Sequence, residues 1–249
     1  MATYLLSDIH GAYERLTGLL DMIKPDIEGG TDELYILGDY GDWGEKSIET
    51  FRFVMELDKS PHVHCIKGNH DLMFEEQLRN PGLLDPNWYY ANMGMKTWDK
   101  YIGLKEKERL EIGEWIRDLK YSFEFEADGE LYMAAHAYPY FGNRGNLGYF
   151  YTTHDAVWMR LGWDSDPFRD YHGRKKYRAL ICGHTITRGY YRDSGLKQAH
   201  DHNCIYKGPH FIGIDCGAKC IEYGHLWKDE ARAARLAALR IEDMKEFYV

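Results

Sequence analysis

Thr3 to Leu6 is a short apolar run that breaks into Ser7-Asp8-Ile9-His10-Gly11, after which apolar side chains recur at Leu16, Leu19, Leu20 and Ile23. An apolar run followed by 3–4 spacing predicts a strand, a polar loop and a helix. The succession repeats twice. Glu33 to Leu37 predicts a strand that runs into Gly38-Asp39-Tyr40-Gly41-Asp42-Trp43-Gly44 and then a helix over Ile48 to Leu57. His62 to Ile66 predicts a third strand, ending at Gly68-Asn69-His70-Asp71 ahead of helical spacing from Leu72 to Leu78. Three strands thus deliver polar residues into loops at their carboxyl ends, where open α/β sheets place ligands.

From Asn80 to Leu119 the pattern turns helical and rich in Trp and Tyr, most clearly over Lys105 to Leu119, and reads as an excursion covering one side of the site. Strand signals return at Tyr121 to Glu126 and, past the Asp128-Gly129 turn, at Leu131 to Ala135, a hairpin whose second strand ends at His136. Ala179 to Cys182 predicts a buried strand ending at Gly183-His184, and Phe211 to Ile214 another ending at Asp215-Cys216-Gly217. Glu230 to Leu239 is Ala-rich enough for a helix, whereas the alternation from Leu236 to Val249 around Asp243-Met244-Lys245 favours a hairpin. No Pro/Ser-rich stretch, charge run or repeat divides the chain, so residues 1–249 read as one domain, with the helical excursion at about 80–119 inside it.

Composition fits a folded globular chain: 44% hydrophobic residues, with 7 prolines against 25 glycines. Lys+Arg number 31 and Asp+Glu 40, a net charge of −9, which disfavours nucleic acid and anionic membrane surfaces as partners and argues against a nuclease. No segment approaches the roughly 18 apolar residues of a membrane span, and the expected location is cytoplasmic. Five cysteines at irregular spacing predict reduced thiols; Cys216 and Cys220 lack a second pair to complete a metal site and read as buried side chains.

The strand ends collect Asp8, His10, Asp39, Asn69, His70, His136 and His184. Carboxylate, imidazole and amide oxygen together suit two neighbouring divalent ions of the Mn, Fe or Zn type, whereas Mg or Ca would not require so many histidines. A single histidine beyond a strand is an ordinary capped loop residue, but the joint placement is not. Gly11, Gly38, Gly44, Gly68 and Gly183 flank these residues and permit close backbone approach.

In these motifs the sequence resembles the calcineurin-like metallophosphoesterases, and within them the phosphoprotein phosphatase branch. Asp8-Ile9-His10-Gly11, Gly38 to Gly44, Gly68 to Asp71, His136 and Gly183-His184 stand in the order of the family pattern. Asn92 to Thr97, Trp158-Met159-Arg160 and Ile214 to Ala218 resemble further segments of the branch. The resemblance implies an α/β fold in which two mixed β-sheets pack as a sandwich flanked by helices, in four layers. It implies that Asp8 and His10 hold one divalent ion, that Asn69, His136 and His184 hold the other, and that Asp39 bridges both. Two such ions about 3.5–4 Å apart acidify a shared water and clamp the phosphate, so no covalent enzyme intermediate is needed. By the same resemblance His70 is the proton donor to the leaving group, oriented by Asp42, and Asn69 and Arg160 bind the phosphate, although an arginine after a tryptophan on a helix reads equally well as a surface ion pair.

One position departs from the pattern: Trp43 stands where the branch has an arginine, offering a ring face and one N–H in place of a second cationic fork. Other candidates have bland readings. His200-Asp201-His202 with Cys204 reads as an exposed loop, Arg174-Lys175-Lys176 with Arg178 as a solvated helix start or a phosphate-steering patch, and His62, His64, His154, His172, His210 and His225 lack motif context. Trp88-Tyr89-Tyr90 and Phe141 to Phe150 read as core or as a groove border. The expected activity is a dinuclear metal-dependent phosphoesterase, with a phosphorylated protein as the leading substrate, as in bacterial serine/threonine phosphatases. The alternative is a nucleotide phosphoanhydride of the diadenosine tetraphosphate type, whose base Trp43 could stack. A non-catalytic phosphate-binding protein is the third reading, disfavoured because every ligand position is filled.

Overall fold

Alternation within the first strand, β1 (Thr3–Leu6), sets the layering: Tyr4 and Leu6 point into one core and Leu5 into another. Period-two side chains on a doubly covered sheet must find apolar partners on both faces, which is why all four residues are buried. The same division holds in β2 (Glu33–Ile36), where Leu34 and Ile36 face the helices and Tyr35 faces inward. In a computed structural model of the protein, the described residues are 1–140, 152–169, 176–196, 203–221 and 228–249.

The first sheet has the order β10-β9-β1-β2-β3, with β3 at Val63–Cys65, β9 at Ala237–Arg240 and β10 at Lys245–Tyr248. β1, β2 and β3 are parallel, and β9 runs antiparallel to β1 with Leu5 opposite Leu239. Helices α1 (Tyr13–Ile23), α2 (Ser47–Leu57) and α3 (Asn69–Arg79) follow β1, β2 and β3 in turn and, with α4 (Met95–Tyr101) and α5 (Glu106–Asp118), fill the outer core through Leu16, Leu19, Phe51, Phe74, Trp98 and Ile116.

The second sheet has the order β4-β5-β6-β8-β7, built from Ser122–Ala127, Glu130–Ala135, Ala179–Cys182, Phe211–Gly213 and Tyr206–Lys207 respectively. β5, β6 and β8 are parallel to one another, with antiparallel strands at both edges. Its inner residues Tyr132, Ala134, Ile181 and Ile212 meet Leu5, Tyr35, Leu37 and Leu239 of the first sheet in a shared core. Its outer residues Met133, Leu180 and Phe211 pack with Leu161 and with Tyr190 of α7 (Arg188–Ser194). Burying one Leu or Ile side chain contributes about 1.5–3 kcal/mol, so the inter-sheet core is what holds the two sheets face to face. The fold is therefore α/β, two mixed five-stranded sheets packed as a sandwich with helices outside, as the motif resemblance implies.

Three local expectations need correction. Asn69, His70 and Asp71 form the first turn of α3 and not a loop ahead of it. The Ala-rich segment carries both structures read for it, since α8 (Lys228–Ala233) ends three residues before the β9–β10 hairpin. Cys204, read as part of an exposed loop, is buried, and Tyr206–Lys207 just beyond it pairs with β8 as an edge strand. Two further helices, α6 (Thr153–Trp158) and α7, carry too few apolar positions to register as periodic patterns. Among the described residues no helix is long and apolar enough to cross a membrane. Phe141 to Phe150, His172, Arg174-Lys175, His200 to His202 and His225 lie outside the described residues.

Candidate metal centre and active site

The loops at the carboxyl ends of β1 and β2 are laced together. Asp8 N–H donates to Gly38 O at 3.1 Å, His10 N–H to Asp39 O at 2.8 Å, and Gly44 N–H to His10 O at 2.7 Å. This lacing forces unusual backbone. Among the described residues nine non-glycine positions have positive φ, and five of them are Asp8 (54°), His10 (50°), Asp39 (57°), Asp42 (75°) and His184 (64°). Each left-handed non-glycine residue costs on the order of 1–3 kcal/mol, so the surrounding bonds must hold these side chains in position against that strain. Two glycines show how close the approach is: a Cβ on Gly68 would lie 2.1 Å from Asp39 Oδ1, and one on Gly183 would lie 2.1 Å from Asp8 Oδ2.

All six side chains expected to ligate metal are buried at one end of the sandwich. Asp8, His10 and Asp39 come from the first sheet's loops, Asn69 from the start of α3, and His136 and His184 from the ends of β5 and β6. Asn69 Oδ1 lies 3.0 Å from His136 Nε2 and 2.8 Å from His184 Nδ1, and His136 Nε2 lies 3.5 Å from Asp39 Oδ1. On the other side His10 Nε2 lies 3.5 Å from Asp39 Oδ2 and 3.9 Å from Asp8 Oδ1. Asp39 is thus the residue common to both groups, one carboxyl oxygen toward each.

This donor set fits divalent cations. His10 gives its Nδ1–H to Gly41 O at 3.1 Å and His136 gives its Nδ1–H to Leu37 O at 2.7 Å, so in both rings Nε2 turns a lone pair inward. His10 Nε2 and His184 Nε2 are buried and find no hydrogen-bond partner among the described residues. Burial pushes the His10 imidazole well below its usual range and His184 down to about 2, with His136 and Arg160 adding to the second shift. Neutral imidazoles facing carboxylates are acceptors facing acceptors, an arrangement that a cation relieves.

The carboxylates are poised in opposite senses. Burial, with Asp215 and Asp39 adding, pushes Asp8 up to about 8 against the opposing His136 and Ser7. Burial alone would raise Asp39 too, but His136, His70 and His10 hold it below the ordinary carboxylate range, and it also accepts the His70 backbone N–H at 3.0 Å.

His70 stands apart from the six. Its Nδ1 lies 2.6 Å from Asp42 Oδ2, while a ring nitrogen lies within 4.8 Å of ligand atoms of His10 and Asp39. Burial lowers its pKa, but Asp39 and Asp42 more than offset that and raise it overall, which favours a ring able to carry a proton. Asp42 is itself saturated. Its Oδ2 accepts from Trp88 Nε1 at 2.8 Å, its Oδ1 from Thr97 Oγ1 at 2.8 Å, and its backbone N–H donates to the same hydroxyl at 2.8 Å. Trp88 is therefore part of the site's buried frame and not a groove border.

Arg160 lies two residues beyond α6, exposed at the rim, with Nη1 3.1 Å from Thr185 Oγ1 and 3.4 Å from His184 O. Trp43 is 7% exposed, and Lys219 Nζ sits over its ring at 5.6 Å, so little ring area is open to a base. Four contributors were not singled out from the sequence as site residues: Trp88, Thr97, Asp71 and Asp215. Asp71 accepts the backbone N–H groups of Asp39 and Gly68, both at 2.8 Å, and holds Asp39 in place. Asp215 is buried with Oδ2 unpartnered among the described residues. Thr97 and Asp215 sit in the weaker motif matches, which were the available signal.

Comparison with known proteins gives this geometry its context. The chain is 36% identical over 119 residues to the symmetrical bis(5'-nucleosyl)-tetraphosphatase of Erwinia tasmaniensis, covering 47% of this chain and 38% of that protein. It is 30% identical over 157 residues to the enzyme of the same name from Enterobacter sp. strain 638, covering 57% of this chain and 54% of that protein. The matches thus span about half or less of these curated relatives. Among solved structures, a metallophosphoesterase from Sphaerobacter thermophilus superimposes with a TM-score of 0.54 at 16% identity, covering 100% of this chain and 87% of that one. A protein serine/threonine phosphatase from Saccharomyces cerevisiae gives 0.56 at 12% identity, covering 97% and 72%. At such identities the structural likeness speaks for the fold alone. The model of the calcineurin-like phosphoesterase family matches residues 1–188, from before the Asp8 motif to beyond His184. A buried donor set common to both sheets, the shared fold and a family match over most of the chain lead to one conclusion: this chain belongs to the calcineurin-like phosphoesterases.

Proposed function

We propose that the protein hydrolyses dinucleoside polyphosphates of the bis(5'-nucleosyl)-tetraphosphate type with two divalent cations of the Mn, Fe or Zn class. The observation that carries the reading is the convergence of five buried donors on the two sides of Asp39 in a chain whose curated relatives bear the tetraphosphatase name. Those names support the nucleotide alternative over the phosphorylated-protein substrate expected first from the sequence.

Asp8 and His10 would hold one cation, Asn69, His136 and His184 the other, and Asp39 both. When bound, the cations would supply an acidified water as nucleophile and neutralise charge on the phosphate oxygens. Asp42 keeps the His70 ring oriented through Nδ1, leaving the other nitrogen to hand a proton to the departing oxygen. Arg160, flanked by the His184 carbonyl and Thr185 hydroxyl, offers its guanidinium fork at the rim to a phosphate. A phosphoanhydride leaving group is far less basic than a serine alkoxide, so His70 matters less for a dinucleotide than for a phosphoester.

The test is a side-by-side assay of the manganese-supplemented protein on diadenosine tetraphosphate, mononucleotides and a phosphoserine peptide, with products resolved by chromatography. Two ADP per tetraphosphate, formed with a higher kcat/KM than release of phosphate from the peptide, is the expected result. A peptide hydrolysed faster than the dinucleotide would return the protein-phosphatase reading.

A further inference from the structure

The charge lost at position 43 has a counterpart across the site. β8 ends in Asp215, Gly217 turns with φ of 85°, and a single 3-10 turn, Ala218–Cys220, follows. Ala218 and Cys220 are 2% and 5% exposed, so the turn is anchored on both sides of Lys219. Lys219 itself is only partly buried, and its Nζ lies 5.6 Å from the Trp43 ring centroid. That is within cation–π range. Among the described residues no carboxylate lies within 4 Å of this ammonium and no acceptor takes a hydrogen bond from it. In a chain of net charge −9, a lysine anchored by its neighbours whose ammonium makes no close ion pair among the described residues is open to an anion.

Lys219 stands beyond the carboxyl end of β8, the end of the second sheet from which the parallel strands β5 and β6 deliver His136 and His184. Trp43 belongs to the loop after β2 and Lys219 to the turn after β8, so their contact joins the two sheets across the mouth of the cluster. An aromatic ring cannot bind phosphate as a guanidinium does, but it can seat an ammonium and fix where it points.

We propose that Lys219, seated on Trp43, binds a substrate phosphate oxygen and supplies from the second sheet the cation that the arginine of the motif resemblance supplies from the first. The assignment rests on the phosphoesterase reading above. It also recasts Trp43, whose ring positions the lysine and does not stack a base.

The experiment uses the metal-loaded full chain with Lys219→Met, Lys219→Arg, Trp43→Arg and the double variant Lys219→Met/Trp43→Arg. Three measurements are made on each: direct binding of inorganic phosphate by calorimetry, KM and kcat on diadenosine tetraphosphate and on p-nitrophenyl phosphate, and metal content. Lys219→Met should weaken phosphate binding and raise KM by about 10- to 150-fold, the worth of a hydrogen bond to a charged group, with kcat changed less and both metal equivalents retained. Lys219→Arg, whose guanidinium also stacks on an aromatic face and binds phosphate, should retain more of the binding than Lys219→Met. Trp43→Arg should recover most of the loss in the Lys219→Met background.

Unchanged phosphate binding in Lys219→Met overturns the proposal. So does a loss that Lys219→Arg shares in full, which assigns the effect to packing, and so does loss of metal. If the unaltered protein cleaves p-nitrophenyl phosphate but not the dinucleotide, the substrate reading fails while the phosphate and p-nitrophenyl phosphate measurements still decide the role of Lys219.

Discussion

The indole N–H of Trp88 donates at 2.8 Å to Oδ2 of Asp42, the same oxygen that lies 2.6 Å from His70 Nδ1. Two donors on one oxygen compete for its charge, so the tryptophan tempers how strongly Asp42 holds a proton on His70.

Trp88→Phe should concentrate that charge on His70 and raise its pKa. A histidine acting as an acid then stays protonated to higher pH, so the basic limb of the kcat profile should move up, by as much as about one pH unit for roughly 1.4 kcal/mol of altered interaction. His70→Asn should remove the limb and lower kcat by about 10²–10⁴-fold on a phosphate monoester, and by less on a dinucleotide. A basic limb that stays in place or falls in Trp88→Phe would refute the coupling.

Asp39→Asn removes one charge between two cations and is expected to cost more than any change confined to one side. Bound metal should fall below two equivalents, and turnover should drop by roughly 10³-fold or more, matching several kcal/mol of lost metal assistance. His10→Ala is the comparison, expected to empty one position and leave the other filled. Elemental analysis and single-turnover rates on both variants check this, and full metal content with normal rates in Asp39→Asn would remove its bridging role.

Gly183→Ala places a methyl group 2.0 Å from Ser7 Oγ and 2.1 Å from Asp8 Oδ2, so Asp8 must move. Displacement of a ligand's support typically costs 10–100-fold in metal affinity, and overpacking about 1–3 kcal/mol in stability. Gly189→Ala in α7, with nothing within 4 Å of the new Cβ, should leave both unaffected or gain slightly in helix stability. Metal titration and urea unfolding distinguish the two.

The metal-free protein should lose stability as pH rises. Asp8 is pushed up to about 8 and Asp71 to about 7, each by burial first. A carboxyl whose folded pKa lies above its unfolded one favours folding most below the unfolded value, near pH 4, and that contribution is lost as pH climbs toward 7–8. Between about pH 4 and 6.5 the opposite shifts of His10 and His184, whose burial favours the neutral ring, offset that loss, so urea midpoints of chelator-treated protein should stay nearly level there and fall between about pH 6.5 and pH 8, and Asp8→Asn should flatten that fall. A midpoint that rises through this window, or a slope unchanged in Asp8→Asn, contradicts the assignment of the strain to these carboxyls.

Strand ends carried most of what was legible in the sequence. Asp8, His10, Asp39, His136 and His184 follow buried strands directly, and a strand's direction fixes where its last residue points. The first turn of α3 was harder to read, because Asn69 and His70 are weak helix formers and the helix starts on them only through Gly68 and the Asp71 cap. Trp88 escaped because a lone indole among aromatic residues has no period, and its role depends on a partner 46 residues away. Lys219 carried no local signal at all: its meaning comes from a ring on the other sheet.

The pairing of β1 with β9 sets a timetable for synthesis. Leu5 waits for Leu239 and Leu6 for Ala238, so residues 7–237 are all made before one edge of β1 is covered. Until residues 237–240 leave the ribosome, a nascent chain exposes a bare apolar strand edge, the feature most prone to pair with a neighbouring polypeptide. The vulnerable interval therefore extends past the synthesis of residues 1–188, which already hold every donor of the site while the sheet that frames them still has an open side.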